Sequence, residues 1–573
     1  MNGAPPYGIV AYFSMDVAIE AAIPTYSGGL GILAGDTLRA AADLGIPMVG
    51  LTLLHRKGYF DQHLDSSGNQ LESPSNWSPE RHLEPLAPRV SIDIEGRKVV
   101  VRGWQHLFHG ITNHAVPVIL LDTDLEENEP RDRALTDHLY GGNEHYRLCQ
   151  EVVLGFGGVA MVRALGHSAT GLFHMNEGHS ALVTLALLEQ GAELRETRNW
   201  GEKELEAVRR QCVFTTHTPV PAGHDRFPSE LVRQVLGEGR AAALRQINVM
   251  NSELNMTELA LRLSGFVNGV SMRHGEVSRK MFPGYNVGAI TNGVHAVSWA
   301  CGPFSALYDR TVPQWRRDNW YLRYAVGIPL QDIRAAHAQA KQELFQQVCW
   351  LTGAQLDPSV MTLGFARRAT AYKRADLLFM DLERLKRIAR SAGPLQVIYA
   401  GKAHPRDEGG KAIIRRIFEA AAALANDVRI VYLENYDMAL GKQLCAGVDV
   451  WLNTPLRPQE ASGTSGMKAA VNGVPSLSVL DGWWIEGHVE GVTGWSIGEP
   501  NGPENDSPIE ALSLYDKLEH VILPLFYKEP HKFAEVMRSS IALNGSFFNT
   551  QRMISQYVRN AYAPMFAQIV PPK

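Results

Sequence analysis

Residues 460–470 read EASGTSGMKAA. Glycines let a backbone approach an anion closely, hydroxyl side chains add hydrogen bonds, and the free N–H groups at a helix start favour negative charge. The pattern therefore predicts a loop of small residues leading into a helix, with Lys468 in the first turn. Such a lysine can reach an aldehyde on a ligand whose phosphate lies in the loop. The alternative interpretation is an ordinary helix N-cap followed by an exposed lysine.

Short apolar segments that alternate with helical segments surround this motif. In the second half of the chain, strands are predicted at Met361–Phe365, Leu395–Ala400, Val428–Leu433, Val448–Leu452 and Ser476–Val479. The alternation is typical of an α/β fold with a doubly wound parallel sheet, in which ligands bind at the carboxyl ends of the strands. Because the motif lies between the last two predicted strands, it is expected at the carboxyl ends of the strands.

The first half of the chain shows a similar but more interrupted pattern and is also expected to be α/β. Its predicted strands are Ile9–Phe13, Pro47–Leu53, Val118–Leu121, Gly171–Met175, Cys212–Thr215 and Val287–Thr291. Glycines, a proline and a turn-like opening put the hinge between the halves near Asn292–Pro303. A last helix is predicted from Gln551 to about Gln568.

Length and composition are those of an ordinary globular protein. The chain has 573 residues, enough for several domains, of which 45% are hydrophobic and 20% charged. A net charge of −5 offers no basic footprint for nucleic acid. The five cysteines are scattered and form no C-x-x-C pair, so neither a disulfide framework nor a zinc ribbon is indicated. The N-terminus does not resemble a signal peptide and no apolar run could span a bilayer, so a cytoplasmic protein without membrane contact is expected.

The longer string from residue 460 through NGVP (472–475) to DGWWIEG (481–487) resembles the cofactor site of the α-glucan phosphorylases, the family of glycogen, starch and maltodextrin phosphorylase. The resemblance implies that Lys468 carries pyridoxal 5'-phosphate, with Thr464, Ser465 and Gly466 beside the cofactor. Long members usually have Gly-Asn before the Met-Lys pair, whereas Ser465-Gly466 is similar to the shorter bacterial branch. The likeness covers nearly the whole chain, from residue 12 to at least residue 487.

The fold implied by this resemblance is the GT-B architecture, in which two Rossmann-like α/β domains face each other across a cleft. Residues 1–298 would bind the glucan, residues 299–550 would bind the cofactor and phosphate, and residues 551–573 would form a helix returning to the first domain. Nucleotide-sugar glycosyltransferases share this architecture, so the fold by itself does not choose the chemistry.

A cluster of cations follows the predicted strand Met361–Phe365. The segment ARRATAYKR (366–374) puts four basic residues at the carboxyl end of a strand, which suits an anion clamp, and a solvated basic surface is the alternative. By resemblance, Arg368 and Lys373 bind the substrate phosphate and Arg367 contacts the cofactor phosphate.

A second glycine-rich segment, SGGLGILAGD (27–36), is predicted as a loop between the first strand and a helix. It does not match G-x-G-x-x-G, so no dinucleotide fingerprint is indicated. Its glycines permit close approach to a sugar or phosphate, and a tight turn is the alternative. By resemblance, Gly29 lies at the cofactor and Leu30 at the substrate.

The sugar site is assigned by resemblance. His217 follows a predicted strand within TTHTPVPAGHDRFP (215–228), where the family has a histidine that contacts the glucosyl unit; a lone histidine is otherwise often structural. Asn292 matches a second contact to the same unit. Glu460 matches the carboxylate that holds a ring hydroxyl, with Ser462 and Gly463 beside it.

Three further residues match positions around the two ligands. Trp299 and Tyr436 match aromatic residues that line the cofactor pocket, and Asn143 belongs to a segment, residues 140–144, that resembles a mobile gate. The segment HMNEGH (174–179) contains no H-E-x-x-H pattern, so a metal site is not predicted there. Its role is expected to be structural or supporting.

Taken with the motif order, the sequence is identified as a member of the α-glucan phosphorylases, which implies a hexosyltransferase of glycogen and carbohydrate metabolism. The implied reaction is reversible transfer of a terminal α-1,4-linked glucosyl unit from glucan or maltodextrin to orthophosphate, giving glucose 1-phosphate with retention. Three rival classes stay open: a nucleotide-sugar glucosyltransferase, an ordinary pyridoxal-phosphate aminotransferase and a non-catalytic glucan-binding relative. A homodimer is compatible with the sequence.

Overall fold

The computed structural model of the protein describes residues 8–167, 170–195, 200–499 and 506–569. Within these ranges the strands are β1 (Ile9–Ser14), β2 (Met48–Leu53), β3 (Asp61–Leu64), β4 (Gln70–Ser73), β5 (Glu84–Ile94), β6 (Arg97–His109), β7 (Ala115–Asp122), β8 (Thr170–Asn176), β9 (Cys212–Thr215), β10 (Arg226–Pro228), β11 (Glu253–Asn255), β12 (Phe266–Gly269), β13 (Gly288–Ala289), β14 (Met361–Ala366), β15 (Leu395–Ala400), β16 (Val428–Leu433), β17 (Val450–Asn453), β18 (Ser476–Val479) and β19 (Gly494–Ile497).

The α-helices of the same ranges surround these strands. They are α1 (Gly29–Leu44), α2 (Pro130–Arg133), α3 (Glu144–Val152), α4 (Gly158–Ala164), α5 (Leu182–Arg195), α6 (Glu202–Arg209), α7 (Ser229–Leu236), α8 (Glu238–Gln246), α9 (Met256–Arg262), α10 (Met272–Met281), α11 (Ala296–Trp299), α12 (Gly302–Thr311), α13 (Leu330–Thr352), α14 (Leu382–Ser391), α15 (Glu408–Ala423), α16 (Met438–Gly447), α17 (Thr464–Val471), α18 (Trp484–Gly487), α19 (Ser507–Lys517), α20 (Leu523–Lys528), α21 (Pro530–Ser539), α22 (Thr550–Tyr557) and α23 (Ala563–Ile569).

Two large sheets organise the chain. The first has nine strands in the order β13-β12-β9-β8-β1-β2-β7-β6-β5, parallel from β13 to β7 and antiparallel across β7, β6 and β5. The second has six parallel strands in the order β16-β15-β14-β17-β18-β19. Numbered from β14, this is the 3-2-1-4-5-6 order of doubly wound dinucleotide-binding sheets.

The central strands are apolar along their whole length because helices cover both faces of a parallel sheet. Every residue of β2, β14 and β15 is buried. The expected α/β class with parallel sheets is therefore confirmed.

Most strand predictions agree with the structure, and the exceptions have physical causes. The observed bounds of β9, β15, β16 and β18 are those predicted, whereas the prediction at Val287–Thr291 is wrong in extent because only Gly288 and Ala289 pair with β12. The long hairpin β5–β6 was missed, although Glu95 (φ 52°) and Gly96 (φ 71°) form its left-handed turn. The alternating apolar residues on both sides of this turn are a usable strand signal.

The C-terminal segment packs on the first sheet rather than the second. Residues of α22 and α23 share an apolar core with Val10 and Tyr12 of β1. The Tyr562 hydroxyl lies 2.7 Å from His174 Nδ1, and the Tyr557 hydroxyl lies 3.0 Å from Thr215 Oγ1. The single predicted helix is in fact two α-helices joined by the π-helical turn Val558–Tyr562.

The hairpin β3–β4 joins the first half of the chain to the loops of the second sheet. Gln62 donates to the Gly401 carbonyl (3.0 Å) and accepts from the Asn435 N–H (2.9 Å). Gln70 donates to the Ala403 carbonyl and accepts from the Ala403 N–H, both at 2.9 Å. Both glutamines are buried, so these bonds fix the hairpin against the second sheet.

Among the described helices, none is long and apolar enough to cross a membrane.

A buried ion pair beneath the second sheet yields a stability prediction. Asp449 Oδ2 accepts from Lys341 Nζ (2.6 Å) and from the Thr362 N–H (2.7 Å), and Oδ1 lies 2.9 Å from His337 Nε2. Asp449→Ala leaves the Lys341 charge buried without its partner, which should lower the free energy of unfolding by about 3–5 kcal/mol in urea denaturation. As a control, Arg390→Ala breaks the exposed pair with Asp427 and should cost less than about 1 kcal/mol. Equal losses in the two variants would contradict the prediction.

Candidate active site

The strand order of the second sheet reverses between β14 and β17, and the functional loops leave from this point. The chain passes from β14 to β15 on one side and reaches β17 on the other, which opens a crevice at the carboxyl ends of the strands. The cation segment follows β14, and the segment with Glu460 follows β17. The topology therefore puts these two predicted loops beside each other.

A buried ion cluster joins the two loops. Glu460 Oε2 lies 2.5 Å from Lys373 Nζ and 2.7 Å from Arg367 Nη1, and all three side chains are nearly enclosed. Arg367 also donates to Asn453 at the end of β17. Burial opposes ionisation of Glu460, but the two cations outweigh it and lower its pKa to about 2. Two cations to one carboxylate leave an excess of positive charge that suits an anion.

Asp481 supports the Glu460 loop. Its two carboxylate oxygens accept from the N–H groups of Glu460 (2.8 Å) and Gly482 (2.9 Å). Burial and the neighbouring Glu460 charge raise the Asp481 pKa to about 7. The Asp481 oxygens are thus engaged in holding the backbone.

The amine of Lys468 lies over an aromatic ring. Its Nζ is 3.8 Å from the centre of the Trp299 ring, and the residue is 6% exposed. Helix α17 begins at Thr464, so Lys468 is its fifth residue and opens the second turn; the prediction of the first turn is corrected. Burial lowers the Lys468 pKa, which favours the neutral amine that attacks an aldehyde.

The residues before Lys468 form the first turn of α17. A Cβ at Gly466 would lie 2.8 Å from the Trp483 ring, so the helix can pack there only without a side chain. Ser465 Oγ accepts from Trp451 Nε1 (3.1 Å). Gly463 caps the helix at φ 88°, where glycine is favoured. The hydroxyl of Ser462 is buried and has no hydrogen-bond partner among the described residues.

The glycine-rich segment near the N-terminus is helical, which corrects the predicted loop. Helix α1 begins at Gly29, where an added Cβ would meet nothing within 4 Å. At Gly31 an added Cβ would lie 2.6 Å from Asp16 Oδ2, and at Gly35 it would lie 2.1 Å from the Ala18 carbonyl. These two glycines therefore serve internal packing. Leu30 is half-buried in the first turn.

Arg368 points to this helix start. Its Nη2 lies 3.3 Å from Ser27 Oγ, and it would be 3.2 Å from a Cβ at Gly28. Arg368 is exposed, unlike Arg367. The first half of the chain thus contributes one wall beside the cations of the second.

His217 is oriented by the segment after β8. Its N–H donates to Glu177 Oε2 (2.7 Å), and its Nε2 lies 2.6 Å from Asn176 Oδ1. Burial lowers the His217 pKa to about 4, so the ring is neutral at pH 7. Since Asn176 Oδ1 accepts, Nε2 carries the proton and Nδ1 is left as an acceptor. Glu177 has a φ of 77°, a strained backbone conformation of the type that clusters at functional sites.

Asn292 is fixed from the C-terminal helix. Arg552 of α22 donates to the carbonyls of Thr291 (2.6 Å) and Asn292 (2.8 Å). The Asn292 side chain is buried, and its Oδ1 has no hydrogen-bond partner in the part of the chain that the structure describes. A buried amide oxygen of this kind can accept from a ligand.

Two predicted residues lie at the margin of this group. Tyr436 follows β16. Burial raises the pKa of its hydroxyl, and the nearby charge of Arg367 acts in the opposite direction. Asn143 is exposed and caps α3 by accepting from the Tyr146 N–H (3.0 Å). Its loop borders a cavity of about 360 Å³ lined also by Tyr59 and His404.

Comparison with known proteins identifies the family. Residues 224–492 match the family described as carbohydrate phosphorylase. The chain is 38% identical to maltodextrin phosphorylase of Thermococcus litoralis, over 98% of this chain and 71% of that protein. It is 38% identical to glycogen phosphorylase of Mycobacterium tuberculosis, with the same coverage, and 35% identical to glycogen phosphorylase of Aquifex aeolicus, over 98% and 87%. The chain belongs to the carbohydrate phosphorylase family.

This membership confirms the resemblance drawn from the sequence and the prediction of an α-glucan phosphorylase enzyme. Phosphorylases of this family use pyridoxal phosphate. No cluster of metal-ligating side chains occurs within the described ranges.

Several residues around the site of this phosphorylase were not singled out by sequence reasoning. Asp481 stands inside the quoted motif, where a carboxylate among glycines and tryptophans was a usable signal. Asp36 accepts from Trp299 Nε1 (2.7 Å), and Arg552 reaches the Asn292 loop from 260 residues away. No local pattern could have indicated contacts of such sequence separation.

The Glu460 cluster yields a pH-dependent stability prediction. Glu460→Gln leaves Arg367 and Lys373 buried without their carboxylate, which should cost about 3 kcal/mol of stability at pH 7. Because the folded pKa of Glu460 is about 2, below the unfolded value of roughly 4.3, this contribution is full above that value and is lost as the pH falls towards 2.

Urea denaturation of both proteins between pH 7 and pH 3 would measure this contribution, with exposed Glu408→Gln as the control. The gap between wild type and Glu460→Gln should shrink below about pH 4.3. A gap that stays constant over this range would count against the ion cluster.

Proposed function

We propose that this phosphorylase transfers the terminal α-1,4-linked glucosyl unit of a glucan or maltodextrin to orthophosphate, giving glucose 1-phosphate with retention. The observation that carries the proposal is the buried cluster of Arg367, Lys373 and Glu460 at the switch point of the second sheet. Its excess positive charge lies near the buried amine of Lys468, on which the Arg367 charge acts. An anion and an amine-reactive group can therefore occupy neighbouring positions.

Pyridoxal phosphate fits the residues around Lys468. The lysine is buried, that burial lowers the pKa of its amine, and the Trp299 ring offers a flat face. The unpartnered Ser462 hydroxyl and the start of α17 can meet polar groups of the ligand. When bound, the cofactor supplies a phosphate group whose second pKa near about 6 allows proton exchange at neutral pH. Arg367 would hold that phosphate, and Thr464, Ser465, Gly466, Tyr436 and Gly29 would border the cofactor.

The sugar would lie between the two sheets. His217 offers Nδ1 as an acceptor and Asn292 offers its buried Oδ1, so both can accept from sugar hydroxyls. Glu460 can accept from a ring hydroxyl on the other side. Ser462, Gly463, Leu30 and Asn143 complete the proposed substrate contacts, and Arg368 and Lys373 would bind orthophosphate.

The side chains described at the site favour the substrate phosphate as the proton donor. Glu460 has a pKa of about 2 and His217 of about 4, so at pH 7 Glu460 is a carboxylate and His217 is a neutral imidazole whose N–H donates to Asn176. Neither can act as an acid towards the leaving oxygen. Asp481 has a pKa of about 7, but both of its oxygens hold backbone N–H groups. A phosphate bound by Arg368 and Lys373 would protonate the glycosidic oxygen and then attack the same face of the sugar, which accounts for retention.

We further propose that the two sheets belong to two domains facing across a cleft, with the boundaries 1–298, 299–550 and 551–573. Contacts between the halves support this arrangement: Ser271 Oγ donates to the Ala461 carbonyl (2.7 Å) and Thr291 Oγ1 to Glu486 Oε2 (2.7 Å). A homodimer stays a prediction that light scattering would check.

The cofactor assignment predicts that Lys468→Ala folds but does not retain pyridoxal phosphate through dialysis, because the amine that holds it is removed. Absorbance of the dialysed protein measures retention, and Lys386→Ala, at a partly buried lysine that pairs with Glu383, serves as the control. Borohydride reduction of the wild type followed by peptide mapping should find the label on Lys468. A label on another lysine would overturn the assignment.

The phosphate assignment predicts that Arg368→Ala and Lys373→Ala each lose about 2–4 kcal/mol of transition-state stabilisation, measured as kcat/KM for phosphate. His217→Ala should instead raise the KM for glucan. Arg429→Ala, on the exposed surface of β16, is a control for loss of a cation. Near-wild-type rates of Arg368→Ala at subsaturating phosphate would contradict the proposed role of Arg368 in phosphate binding.

A further inference from the structure

A carboxylate from the first half of the chain contacts Trp299, the residue whose ring lies under the Lys468 amine. Asp36 is the eighth residue of α1 and is 1% exposed. Its Oδ2 accepts from Trp299 Nε1 at 2.7 Å and from the His295 N–H at 3.1 Å. Asp36 thus fixes both ends of the short helix α11, and with them the plane of the ring under Lys468.

The second oxygen of Asp36 has few partners. Oδ1 has no hydrogen bond within the described residues, and its closest cation is Arg39 Nη1 at 3.8 Å. Arg39 is itself engaged with the carbonyls of Ala18 and Ile19. The Asp36 charge is therefore only partly compensated, and its field extends to Lys468.

The Trp299 ring transmits this charge to the amine. An indole that donates its N–H to a carboxylate gains electron density on its face, and a cation over that face is then held more strongly. The other groups that act on Lys468 are Cys445 on α16 and Arg367 after β14. Burial raises the pKa of the Cys445 thiol to about 12, so this group is uncharged at pH 7. Arg367 opposes a positive charge on the amine, and Asp36 is the anionic group that counteracts it.

We propose that Asp36 is a positioning residue that orients Trp299 and places a negative charge close to Lys468, so that cofactor capture in the second half of the chain depends on a carboxylate from the first. This inference rests on the proposed role of Lys468 as the cofactor lysine. It assigns to α1 a part in cofactor capture besides the proposed contacts of Gly29 and Leu30.

Two substitutions separate the charge of Asp36 from its hydrogen bonds. Asp36→Asn keeps an oxygen that can accept from Trp299 and His295 but removes the charge. Asp36→Ala removes both. Asp43→Asn is the matched control, because Asp43 lies on the same helix, is also buried, and lies 2.9 Å from His295 Nε2 without contact to Trp299.

The experiment measures the rate of pyridoxal phosphate uptake by cofactor-depleted protein as a function of pH, followed by absorbance. Without the Asp36 charge the ammonium form of Lys468 is less stable, so the uptake profile of Asp36→Asn should move to lower pH by about one unit. The Asp43→Asn profile should coincide with that of the wild type. Asp36→Ala should in addition weaken cofactor binding about 10-fold, because the ring loses its anchor.

Trp299→Phe provides a second test that does not alter the carboxylate. It retains an aromatic face but cannot donate to Asp36, so its profile should also move to lower pH. Circular dichroism verifies that each variant is folded. If Asp36→Asn does not fold, the profile of Trp299→Phe is the test of the inference. Profiles of the folded variants that coincide with the wild type would overturn the inference. Failure of wild-type Lys468 to take up the cofactor would instead refute the proposed function.

Discussion

The buried ion cluster of Glu460 with Arg367 and Lys373 is the interaction on which the rest of the site depends. Removing three charges from water costs far more than a surface pair would, and the short contacts of Arg367 and Lys373 with Glu460 offset part of that cost. Asp481 holds the Glu460 backbone in place for these contacts. That compensation requires the loops after β14 and β17 to keep a fixed separation. The 3-2-1-4-5-6 strand order supplies it, since the two strands are direct neighbours.

The second requirement is that the first half of the chain be held against these loops. Three structures of different kinds do this: the hairpin β3–β4 bonds through Gln62 and Gln70, Arg552 returns from the C-terminal helix to the Asn292 loop, and Asp36 reaches Trp299. All use buried polar groups rather than apolar contact alone. Such bonds specify a relative position more narrowly than apolar packing does, because each has a strict distance and angle.

The titratable groups of the site differ widely in pKa. Glu460 is driven to a pKa of about 2 by its cations, His217 to about 4 by burial, and Asp481 to about 7 by burial and the Glu460 charge. In each case burial alone would favour the neutral form, and only for Glu460 do neighbouring cations reverse the result. Glu460 and His217 are thereby each fixed in one protonation state near neutrality, whereas Asp481 titrates there with both oxygens accepting from backbone N–H groups. This leaves the proposed proton transfer to phosphate groups, whose second pKa is about 6.

Local sequence was sufficient for the α/β class and for five of the six strands of the second sheet, whereas β19 was missed. Apolar runs bounded by glycine loops report on backbone preference and burial, which are short-range properties. It was also sufficient for the family, since the motifs around Lys468, Arg368 and His217 stand in order along the chain. The helical start at Gly29 was misjudged because glycines are read as loops, whereas packing against Asp16 and Ala18 selects them inside a helix.

Only the tertiary structure decided which residues support the site. Glu460 is paired with Arg367 and Lys373 across about 90 positions, Asp36 with Trp299 across 263, and Asn292 with Arg552 across 260. Nothing in the local sequence around Asp36 or Arg552 distinguishes them from ordinary helix residues. Their roles arise because parallel strands and a returning C-terminal helix bring distant segments together, and because a charge buried there must find a partner.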